Sequence, residues 1–392
     1  KEDASYRVFN TVRRNAELHP IARYYSRNWQ DAEELTQSDK GIQPKDKDVE
    51  VWCSNDYLSM SMNSELVKTV TDVVIKEGVG SGGTRNISGN NYHHEKLEKE
   101  LAELHNKESA LIFTSCFVAN DATLSSLGSL LPNCIYYSDA SNHASMIQGI
   151  RNGRSEKRIF RHNDAAHLDD LMSMDDPTSP KIVAFESVYS MCGTVAPIEE
   201  LCKVARKHNA LTFIDEVHAV GLYGDTGAGV AERDGLMEHV DIVSGTLAKA
   251  YGTLGGYIAG PRDLVDTVRS YAPGFVFTSS LPPMIAAGAT KSIQLLKGDC
   301  GKNLRADHQR KSRRLIDMLE AVGIPVLPTQ SHIVPIAVGD ARVCKSISDQ
   351  LLREHDIYVQ SINFPTVPRG TERLRVTPGP RHTNEMTTRF VD

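Results

Sequence analysis

The sequence has neither a long apolar run nor a paired-cysteine motif. No run among its 392 residues approaches the roughly 18 apolar residues that a spanning helix needs, so we expect a soluble protein without a transmembrane helix. The seven cysteines are an odd number and include no C-x-x-C pair. Such a set predicts neither a disulfide framework nor a zinc site, so we expect no metal and a reducing compartment.

An excess of positive charge is also missing. Lysine and arginine number 44 against 50 aspartates and glutamates, which gives a net charge of −6 and a pI near 6.2. This balance argues against a general nucleic-acid binder and against a membrane-surface protein. An anionic substrate must therefore be met by cations at one particular place. The length predicts one large and one smaller domain.

What the sequence does have is a lysine embedded among small residues. The stretch Ser244–Gly256 reads SGTLAKAYGTLGG, with Lys249 at its centre and four glycines around it, and it follows a strand-like apolar run. Glycine permits the backbone angles and the close approach that a flat, bulky ligand requires. We therefore predict that the Lys249 amine is desolvated and able to form a Schiff base with an aldehyde. The alternative is a lysine in an ordinary glycine-rich turn.

A second stretch, Leu211–Gly224, ends a buried apolar run with Asp215 and places His218 three residues later. Ligands of α/β sheets bind at the carboxyl ends of the strands. An aspartate there can keep a pyridine nitrogen protonated, which enzymes that use pyridoxal phosphate need besides a lysine for the aldehyde. Asp215, His218 and Lys249 together therefore indicate pyridoxal phosphate chemistry. For Asp215 alone, the alternative is an aspartate that caps a helix.

Two further segments indicate ligand contacts. The backbone N–H groups of Ser115–Val118 follow an apolar run and would lie at a helix N-terminus, which is a phosphate site by geometry. The segment Gly80–Gly89 lacks the G-K-[ST] of a P-loop. A ligand-facing loop that offers Thr84, Arg85 and Asn86 is therefore favoured over nucleotide binding.

The order of predicted elements indicates an α/β fold. Strands and helices alternate from about residue 110 onward, which predicts a parallel sheet. We expect a large domain at 51–297 with a mostly parallel central sheet, followed by a smaller C-terminal α+β domain at 298–392. Residues 1–50 are predicted to form an N-terminal helix, Tyr6–His19, and an arm in which Asp31–Asp48 is a loop.

Seven segments resemble the α-oxoamine synthases, enzymes that use pyridoxal phosphate to condense an amino acid with an acyl-CoA and release the carboxyl carbon. The resemblance spans nearly the whole chain and rests on VWCSNDYL (51–58), GSGGTRNISG (80–89), NHASMIQGIR (142–151), FESVYSM (185–191), FIDEVHAVGLYG (213–224), SGTLAKAYG (244–252) and YVQSINFPTVPRGTERLR (358–375). It implies the PLP-dependent transferase (aspartate aminotransferase-like) fold and a homodimer whose active sites lie at the subunit interface.

The resemblance also implies roles at the cofactor site. Lys249 would hold the cofactor and act as the acid–base group at the α-carbon of the amino acid. Asp215 would pair with the ring nitrogen, His143 would stack on the ring, and His218 and Ser190 would hold its phenolic oxygen. The implied phosphate contacts are Ser115, Cys116, Phe117 and Thr246, together with Thr278 and Ser279 of the other subunit.

Glycine and succinyl-CoA are the substrates that the resemblance implies, with residues 358–375 as a lid. The implied substrate contacts are Asn55, Tyr57 and Arg375 for the glycine carboxylate, Arg7, Thr84, Asn86 and Thr366 for the succinyl group, and Ser138, Ile147 and Lys157 for CoA. An arginine suits a carboxylate because its planar fork matches the two oxygens.

Two alternatives stay open. The first is another α-oxoamine synthase, of the 2-amino-3-ketobutyrate CoA ligase or 8-amino-7-oxononanoate synthase type. The acyl chain that such an enzyme uses lacks the distal carboxylate of succinyl-CoA or carries it farther away. The residues TRN at 84–86 and Thr366 discriminate between these members. The second alternative is a non-catalytic scaffolding paralogue, against which the presence of Lys249, Asp215 and His218 argues.

The first residue is Lys1 and not methionine, which would fit a targeting peptide that has been removed. We accordingly expect the mitochondrial matrix if the source is eukaryotic, and the bacterial cytoplasm otherwise.

Overall fold

The structure of the protein is a computed structural model that describes residues 9–25 and 46–392. Within them the strands, in chain order, are β1 Thr11–Arg14, β2 Ile21–Tyr25, β3 Lys47–Val51, β4 Ser109–Phe113, β5 Ile135–Asp139, β6 Glu156–Phe160, β7 Lys181–Glu186, β8 Leu211–Asp215, β9 Ile242–Thr246, β10 Gly256–Gly260, β11 Val334–Ala337, β12 Ile357–Tyr358, β13 Gln360–Ile362 and β14 Arg373–Val376. The helices are α1 Ser64–Glu77, α2 Tyr92–Leu104, α3 Cys116–Leu130, α4 Ala144–Asn152, α5 Ala165–Ser173, α6 Ile198–Lys207, α7 Val230–Arg233, α8 Arg262–Tyr271, α9 Pro273–Val276, α10 Pro283–Lys297, α11 Asp299–Ala321, α12 Ala341–Glu354 and α13 Asn384–Val391.

The chain divides into two compact units. The larger unit comprises Met60–Ser190 and Thr194–Ala306, and the smaller unit comprises the described residues up to Ser59 together with Met191–Gly193 and Asp307–Asp392. The predicted N-terminal region therefore belongs to the smaller unit. In the second half of the chain the change of unit falls at residue 307, near the boundary predicted at 298.

Seven strands form the central sheet of the larger unit, in the order β4-β10-β9-β8-β7-β5-β6. Strands β5 to β9 pair in parallel, and helices α4, α5 and α6 connect β5 to β8 in sequence. Strand β10 is the exception, because it runs antiparallel to both of its neighbours, β9 and β4. The predicted mostly parallel central sheet is confirmed.

The core of the larger unit lies against this sheet. All of its strands except β6, which lies at one edge, are buried over nearly their whole length, as expected when helices cover a sheet. Phe113, Tyr136, Phe213 and Ile258 contribute to one apolar cluster and are almost fully buried. Each such side chain stabilises the fold by about 1.5–3 kcal/mol relative to exposure.

Local capping sets where several helices begin. The side chain of Asn63 accepts hydrogen bonds from the first turn of α1, which ends at Gly78 with φ +82°. Ser115 caps α3 and His143 caps α4, each through a side chain that accepts a backbone N–H. Two predicted site residues are therefore placed by the start of a helix.

The smaller unit contains a four-stranded sheet, in the order β1-β2-β3-β12, and a three-stranded antiparallel sheet, in the order β11-β14-β13. Its apolar core includes Trp52, Leu315, Leu319, Val334 and Val376, all of them fully buried. Trp52 follows β3 directly and packs its ring against His382 and Phe390.

The predicted helix Tyr6–His19 is wrong over the residues that the structure describes. Thr11–Arg14 and Ile21–Tyr25 form an antiparallel pair, joined by a turn in which the side chain of Asn15 accepts two backbone N–H groups. Valine, isoleucine and tyrosine favour such a pleated pair, and the turn chemistry of asparagine was not recognised in the sequence. Of the predicted loop Asp31–Asp48, residues 47 and 48 belong to β3, and 31–45 lie outside the described residues.

Candidate active site

Chemically active side chains collect at the carboxyl ends of the parallel strands. Asp215 is the last residue of β8, and it is paired in register with Glu186 of β7 and Ser244 of β9. All three residues are buried. Because parallel strands end at one edge of the sheet, the loops that follow them meet there and enclose a cavity of about 190 Å³.

This cavity brings most of the predicted cofactor residues together. Its lining consists of Cys116, Phe117, Asn120, His143, Ser145, Glu186, Asp215, Val217, His218, Thr246 and Lys249. The predicted residues among them come from four separate segments of the chain, the start of α3, the start of α4, the end of β8 and the loop after β9. Only the fold makes them neighbours.

Lys249 lies on the connection between the antiparallel strands β9 and β10. That connection is a hydrogen-bonded loop, closed by Leu247 N–H to Gly255 O at 2.9 Å and by Gly252 N–H to Lys249 O at 2.8 Å. Gly252 has φ +69°, and a Cβ there would lie 2.1 Å from the backbone nitrogen of Ser61, so only glycine fits. The glycines of the segment Ser244–Gly256 therefore determine the shape of the loop that carries Lys249.

The Lys249 amine lies 2.8 Å from Nε2 of His218. An ammonium group can only donate, so in that state Nε2 of His218 accepts and carries no proton. The contact confirms that the two residues are neighbours, as their positions after consecutive strands suggest. It also orients the amine within the cavity.

Asp215 is held by one donor on each carboxylate oxygen. Oδ1 accepts the backbone N–H of Val217 at 2.8 Å, and Oδ2 accepts the side-chain amide of Asn120 at 2.7 Å. Donors to both oxygens fix the orientation of the carboxylate. The helix-cap alternative for Asp215 is not what the structure shows, because the residues that directly follow β8 form turns and not a helix.

His143 lines the cavity, with its Nδ1 2.8 Å from the hydroxyl of Ser145 and the centre of its ring 6.4 Å from that of Phe117. Burial lowers the pKa of His143, a nearby carboxylate at Asp215 raises it, and the charge of Lys249 lowers it again. The balance favours a neutral imidazole.

The N-terminus of α3 faces the same cavity through Cys116 and Phe117. Ser115 precedes it and accepts the N–H of Val118 with its hydroxyl at 3.2 Å. Burial raises the pKa of the Cys116 thiol well above its usual value, and the charge of Asp215 raises it further. Cys116 is therefore a neutral thiol, and its backbone N–H is the group with which it can bind an anion.

Thr246 closes this side of the cavity from β9. Its hydroxyl donates to Gly255 O at 3.1 Å and accepts the N–H of Ala248 at 3.2 Å. Ser190 follows β7, is half-buried and is not among the cavity-lining residues.

Thr278 and Ser279 lie elsewhere in the larger unit, beside the loop that carries Thr84 and Asn86. The two segments are joined by Ser280 N–H to Gly83 O at 3.0 Å. Ser279 and Asn86 are exposed, and neither segment lines the cavity described above. Within this loop Arg85 forms a two-pronged ion pair with Glu98, at 2.7 and 2.9 Å, so its role is to hold the loop against α2.

The residues predicted to contact CoA differ in exposure. Ser138 is buried at the end of β5 and accepts a hydrogen bond from Asn142 at 2.9 Å. Ile147 and Lys157 are exposed on α4 and β6. Thr366 is exposed in the loop between β13 and β14. These contacts, like that of Arg7, which lies outside the described residues, stay predictions.

The smaller unit holds its own cluster of predicted residues. The guanidinium of Arg375 donates to Asn55 Oδ1 at 3.1 Å and to the hydroxyl of Tyr57 at 2.9 Å, and that hydroxyl donates in turn to Asn55 at 3.1 Å. Arg375 and Tyr57 are buried, whereas Asn55 is exposed. Burial raises the pKa of Tyr57, so its hydroxyl stays protonated.

Three polar residues of the cavity were not predicted from the sequence: Asn120, Ser145 and Glu186. Each lies inside or at the end of an element that was interpreted only by its apolar pattern. A buried asparagine in the otherwise apolar helix FVANDATL was the available signal, because buried amides need partners.

Two searches for other kinds of site found nothing within the described residues. Over 9–25 and 46–392, no group of three or more histidine, cysteine, aspartate or glutamate side chains is placed to hold a metal ion. The helices of these same segments are too short or too polar to cross a membrane.

Comparison with known proteins places this geometry in a family. A family model described as aminotransferase class I and II matches residues 47–392. The chain is 55% identical over 392 residues to the erythroid-specific, mitochondrial 5-aminolevulinate synthase of Rattus norvegicus, an alignment that covers 100% of this chain and 64% of the relative. The chain thus spans less than two thirds of that relative's length.

Solved structures agree. A serine palmitoyltransferase of Sphingomonas wittichii matches with a TM-score of 0.84 at 30% identity, over 88% of this chain and 86% of that chain. A high-resolution structure of a serine palmitoyltransferase with a pyridoxal phosphate internal aldimine matches with the same score, identity and coverage. The fold is the predicted one of the PLP-dependent transferases, and the chain belongs to the aminotransferase class I and II family.

Proposed function

We propose that this chain is the catalytic part of a 5-aminolevulinate synthase. It binds pyridoxal phosphate and condenses glycine with succinyl-CoA to give 5-aminolevulinate, CoA and CO₂, the reaction that begins tetrapyrrole and heme synthesis. The observation that supports this best is the meeting of Lys249, Asp215, His143 and His218 in one cavity. The 55% identity to a 5-aminolevulinate synthase over the whole chain supports the same reading.

The donor set of the cavity fits pyridoxal phosphate. Asp215 is a buried carboxyl group oriented by two hydrogen bonds, which suits the ring nitrogen of the cofactor as a further partner. Lys249 offers the amine that an aldehyde requires, and the N-terminus of α3 offers backbone N–H groups to a phosphate. When bound, this cofactor supplies an electron sink for the carbanion that forms at the amino acid α-carbon.

The side chains around the cavity have separate roles in the proposed reaction. Lys249 moves the proton at the α-carbon of glycine, and His218 orients its amine from 2.8 Å. Asp215 would hold the ring nitrogen of the cofactor, and its carboxylate would favour a proton on that nitrogen. His143 would cover the ring and exclude water from it. Ser190 would complete the contacts by binding the phenolic oxygen.

Recognition of the glycine carboxylate is proposed for Arg375. Its guanidinium is already oriented by Asn55 and Tyr57, which each accept one of its N–H groups. A fixed, planar fork binds a carboxylate bidentately and loses little side-chain freedom in doing so. Tyr57 is buried beneath it and so acts as its support.

Recognition of the succinyl carboxylate is proposed for Thr84 and Asn86, with Arg7 and Thr366. The hydroxyl of Thr84 is not used to cap the turn that follows it, since no side-chain capping hydrogen bond is formed there. Asn86 is exposed and projects from the same turn. Both side chains therefore have polar groups to offer to a ligand, while Ser138, Ile147 and Lys157 would contact CoA.

A homodimer is part of the proposal. Thr278 and Ser279 lie away from the chain's own cavity, and the adjacent Phe277 is 78% exposed, which suits a surface that completes the phosphate site of a second copy. A monomer in sedimentation velocity at micromolar concentration would contradict this. The relatives' names specify mitochondria, and we propose the mitochondrial matrix for this chain, to be checked by cell fractionation.

The experiment that tests the function combines a chemical label with turnover. Reduction with borohydride should leave a pyridoxyl group on the peptide that contains Lys249, and the protein should release CoA from succinyl-CoA only when glycine is present. Lys249→Ala should lose both properties, whereas Lys68→Ala, an exposed lysine of α1, should keep both. A label on another lysine, or faster turnover with an acyl-CoA that lacks a distal carboxylate, would overturn the proposal.

A further inference from the structure

Asn120 is a buried polar residue that the reaction described above does not use. It lies on the second turn of α3 and lines the cavity, and its side chain is almost fully buried. Its amide nitrogen donates to Asp215 Oδ2 at 2.7 Å and to the hydroxyl of Ser145 at 3.0 Å. A primary amide has two N–H groups, so both are engaged.

The orientation of this amide follows from its neighbours. An ionised carboxylate only accepts, so the nitrogen of Asn120, and not its oxygen, must face Asp215. The second N–H donates to the hydroxyl oxygen of Ser145, so the hydroxyl proton of Ser145 must point to another acceptor. The acceptor in reach is Nδ1 of His143, at 2.8 Å.

The same reasoning sets the tautomer of His143. Its Nδ1 also accepts the backbone N–H of Ser145 at 3.2 Å. Two donors directed at one ring nitrogen leave it without a proton, so the neutral ring carries its proton on Nε2. Hydrogen bonds therefore run in one direction, from Asn120 through Ser145 to His143.

We propose that Asn120 is a positioning residue that orients two cofactor-contacting groups at once, the carboxylate of Asp215 and the Nε2–H tautomer of His143. This role rests on the proposed function, because it matters only if both groups face the cofactor. It assigns to α3 a second task besides its N-terminus, since the same helix would hold the phosphate at one end and set the ring contacts one turn later.

The test compares three replacements of Asn120 by the affinity of the cofactor-free protein for pyridoxal phosphate, measured by absorbance titration. Asn120→Asp keeps the size of the side chain but places an acceptor against Asp215, and we expect at least tenfold weaker binding. Asn120→Leu keeps the volume without the donor and should be intermediate, and Asn120→Ala should be no worse than Asn120→Asp. A residue that merely filled space would give the opposite order, with alanine the most harmful.

The matched control is Asn152→Asp. Asn152 is exposed on α4 and likewise donates to an aspartate, Asp121, at 2.7 Å, so the change repeats the same pair of groups in solvent. It should bind the cofactor as the wild type does. If Asn120→Asp does not fold, Asn120→Leu decides: at least threefold weaker binding with an unchanged cofactor-free melting temperature supports the role, and wild-type affinity overturns it.

The outcomes separate this inference from the proposed function. A wild type that takes up no pyridoxal phosphate at Lys249 defeats the function and the inference together. A wild type that is labelled at Lys249, with Asn120→Asp binding as tightly as the wild type, defeats only the role of Asn120. Loss of kcat in Asn120→Asp at an unchanged KM for succinyl-CoA is also expected, because the acyl contacts lie elsewhere.

Discussion

Lys249 and Asp215 each face neutral hydrogen-bonding partners in the cavity. Lys249 lies beside Nε2 of His218, and Asp215 accepts from a backbone N–H and an amide. Neutral partners orient a side chain without adding an opposite charge, so a ligand can still interact with it. The Arg375 cluster follows the same rule, since its two side-chain partners, Asn55 and Tyr57, carry no charge.

The proposed acyl specificity can be tested at single residues, and Thr84 offers the cleanest test. Its hydroxyl caps nothing, so Thr84→Val should leave stability unchanged. A site that hydrogen-bonds a polar group rejects analogues that lack it, because its donors would be left unpaired. We expect a KM for succinyl-CoA raised about tenfold, the effect of roughly 1.4 kcal/mol, and a smaller preference over butyryl-CoA.

The measurement is kcat/KM for both thioesters, with Thr71→Val on α1 as the control, because that threonine hydroxyl bonds only within its own helix in the described contacts. If Thr84→Val leaves the ratio of the two kcat/KM values unchanged, the distal carboxylate is bound by other groups. The contribution of Arg7 can then be measured in the same way.

At the scale of elements, the sequence predicted the residues that follow apolar strands. Lys249, Asp215 and His218 each come after a run that buries itself in a parallel sheet, so their positions at the strand ends could be inferred from pattern alone. Asn120 was beyond such reasoning. Its partner is 95 residues away along the chain, and local periodicity carries no information on contacts between distant elements.

Strand β10 shows a second limit. Its sequence, GYIAG, is short and glycine-bounded, and no strand was predicted for it. It becomes a strand because β9 and β4 both pair with it. Tertiary pairing overrides weak local propensity in this way.

Gly256 of β10 gives a prediction at this scale. A Cβ there would lie 2.2 Å from the backbone nitrogen of Cys116, so Gly256→Ala must push the first turn of α3 away from the sheet. Backbone cannot rotate aside as a side chain can, and we expect a loss of about 1–3 kcal/mol of stability. Because that turn supplies the proposed phosphate N–H groups, cofactor affinity should fall as well.

Thermal unfolding and cofactor titration of Gly256→Ala measure the two effects. The control is Gly80→Ala, where an added Cβ meets nothing within 4 Å. Unchanged cofactor affinity together with reduced stability would show that the first turn of α3 does not bind the phosphate.

For the molecule as a whole, the stability of the protein depends on pH through Glu216. This carboxyl group is fully buried. Burial raises its pKa most and the charge of Asp215 raises it as well, whereas hydrogen bonds from Ser187 and from the backbone of Ala231 lower it. The resulting pKa is about 7. The unfolded chain releases this proton near 4.5. The folded state therefore binds more protons than the unfolded state between these values, and stability falls as pH rises from about 4.5 to about 7.

We expect Glu216→Gln to flatten this dependence. One pKa unit corresponds to about 1.4 kcal/mol, so ionised Glu216 lowers the free energy of unfolding by on the order of 3 kcal/mol above neutral pH. The check is the melting temperature at pH 5 and pH 8, with the exposed Glu320→Gln as control. A pH dependence in Glu216→Gln equal to that of the wild type would assign the effect to other groups.

The antiparallel insertion of β10 also bears on how the chain acquires its fold during synthesis. Among the strands that the structure describes, β4 has one neighbour in the central sheet, and that neighbour is β10. The backbone of Phe113 therefore cannot pair within the sheet until Gly256 has been synthesised, roughly 140 residues later. At about 5–20 residues per second, the nascent chain carries an unpaired apolar strand for on the order of ten seconds. During that interval a chaperone can bind β4 on the ribosome. The interval ends when β10, the strand that follows Lys249, has emerged and can pair with β4.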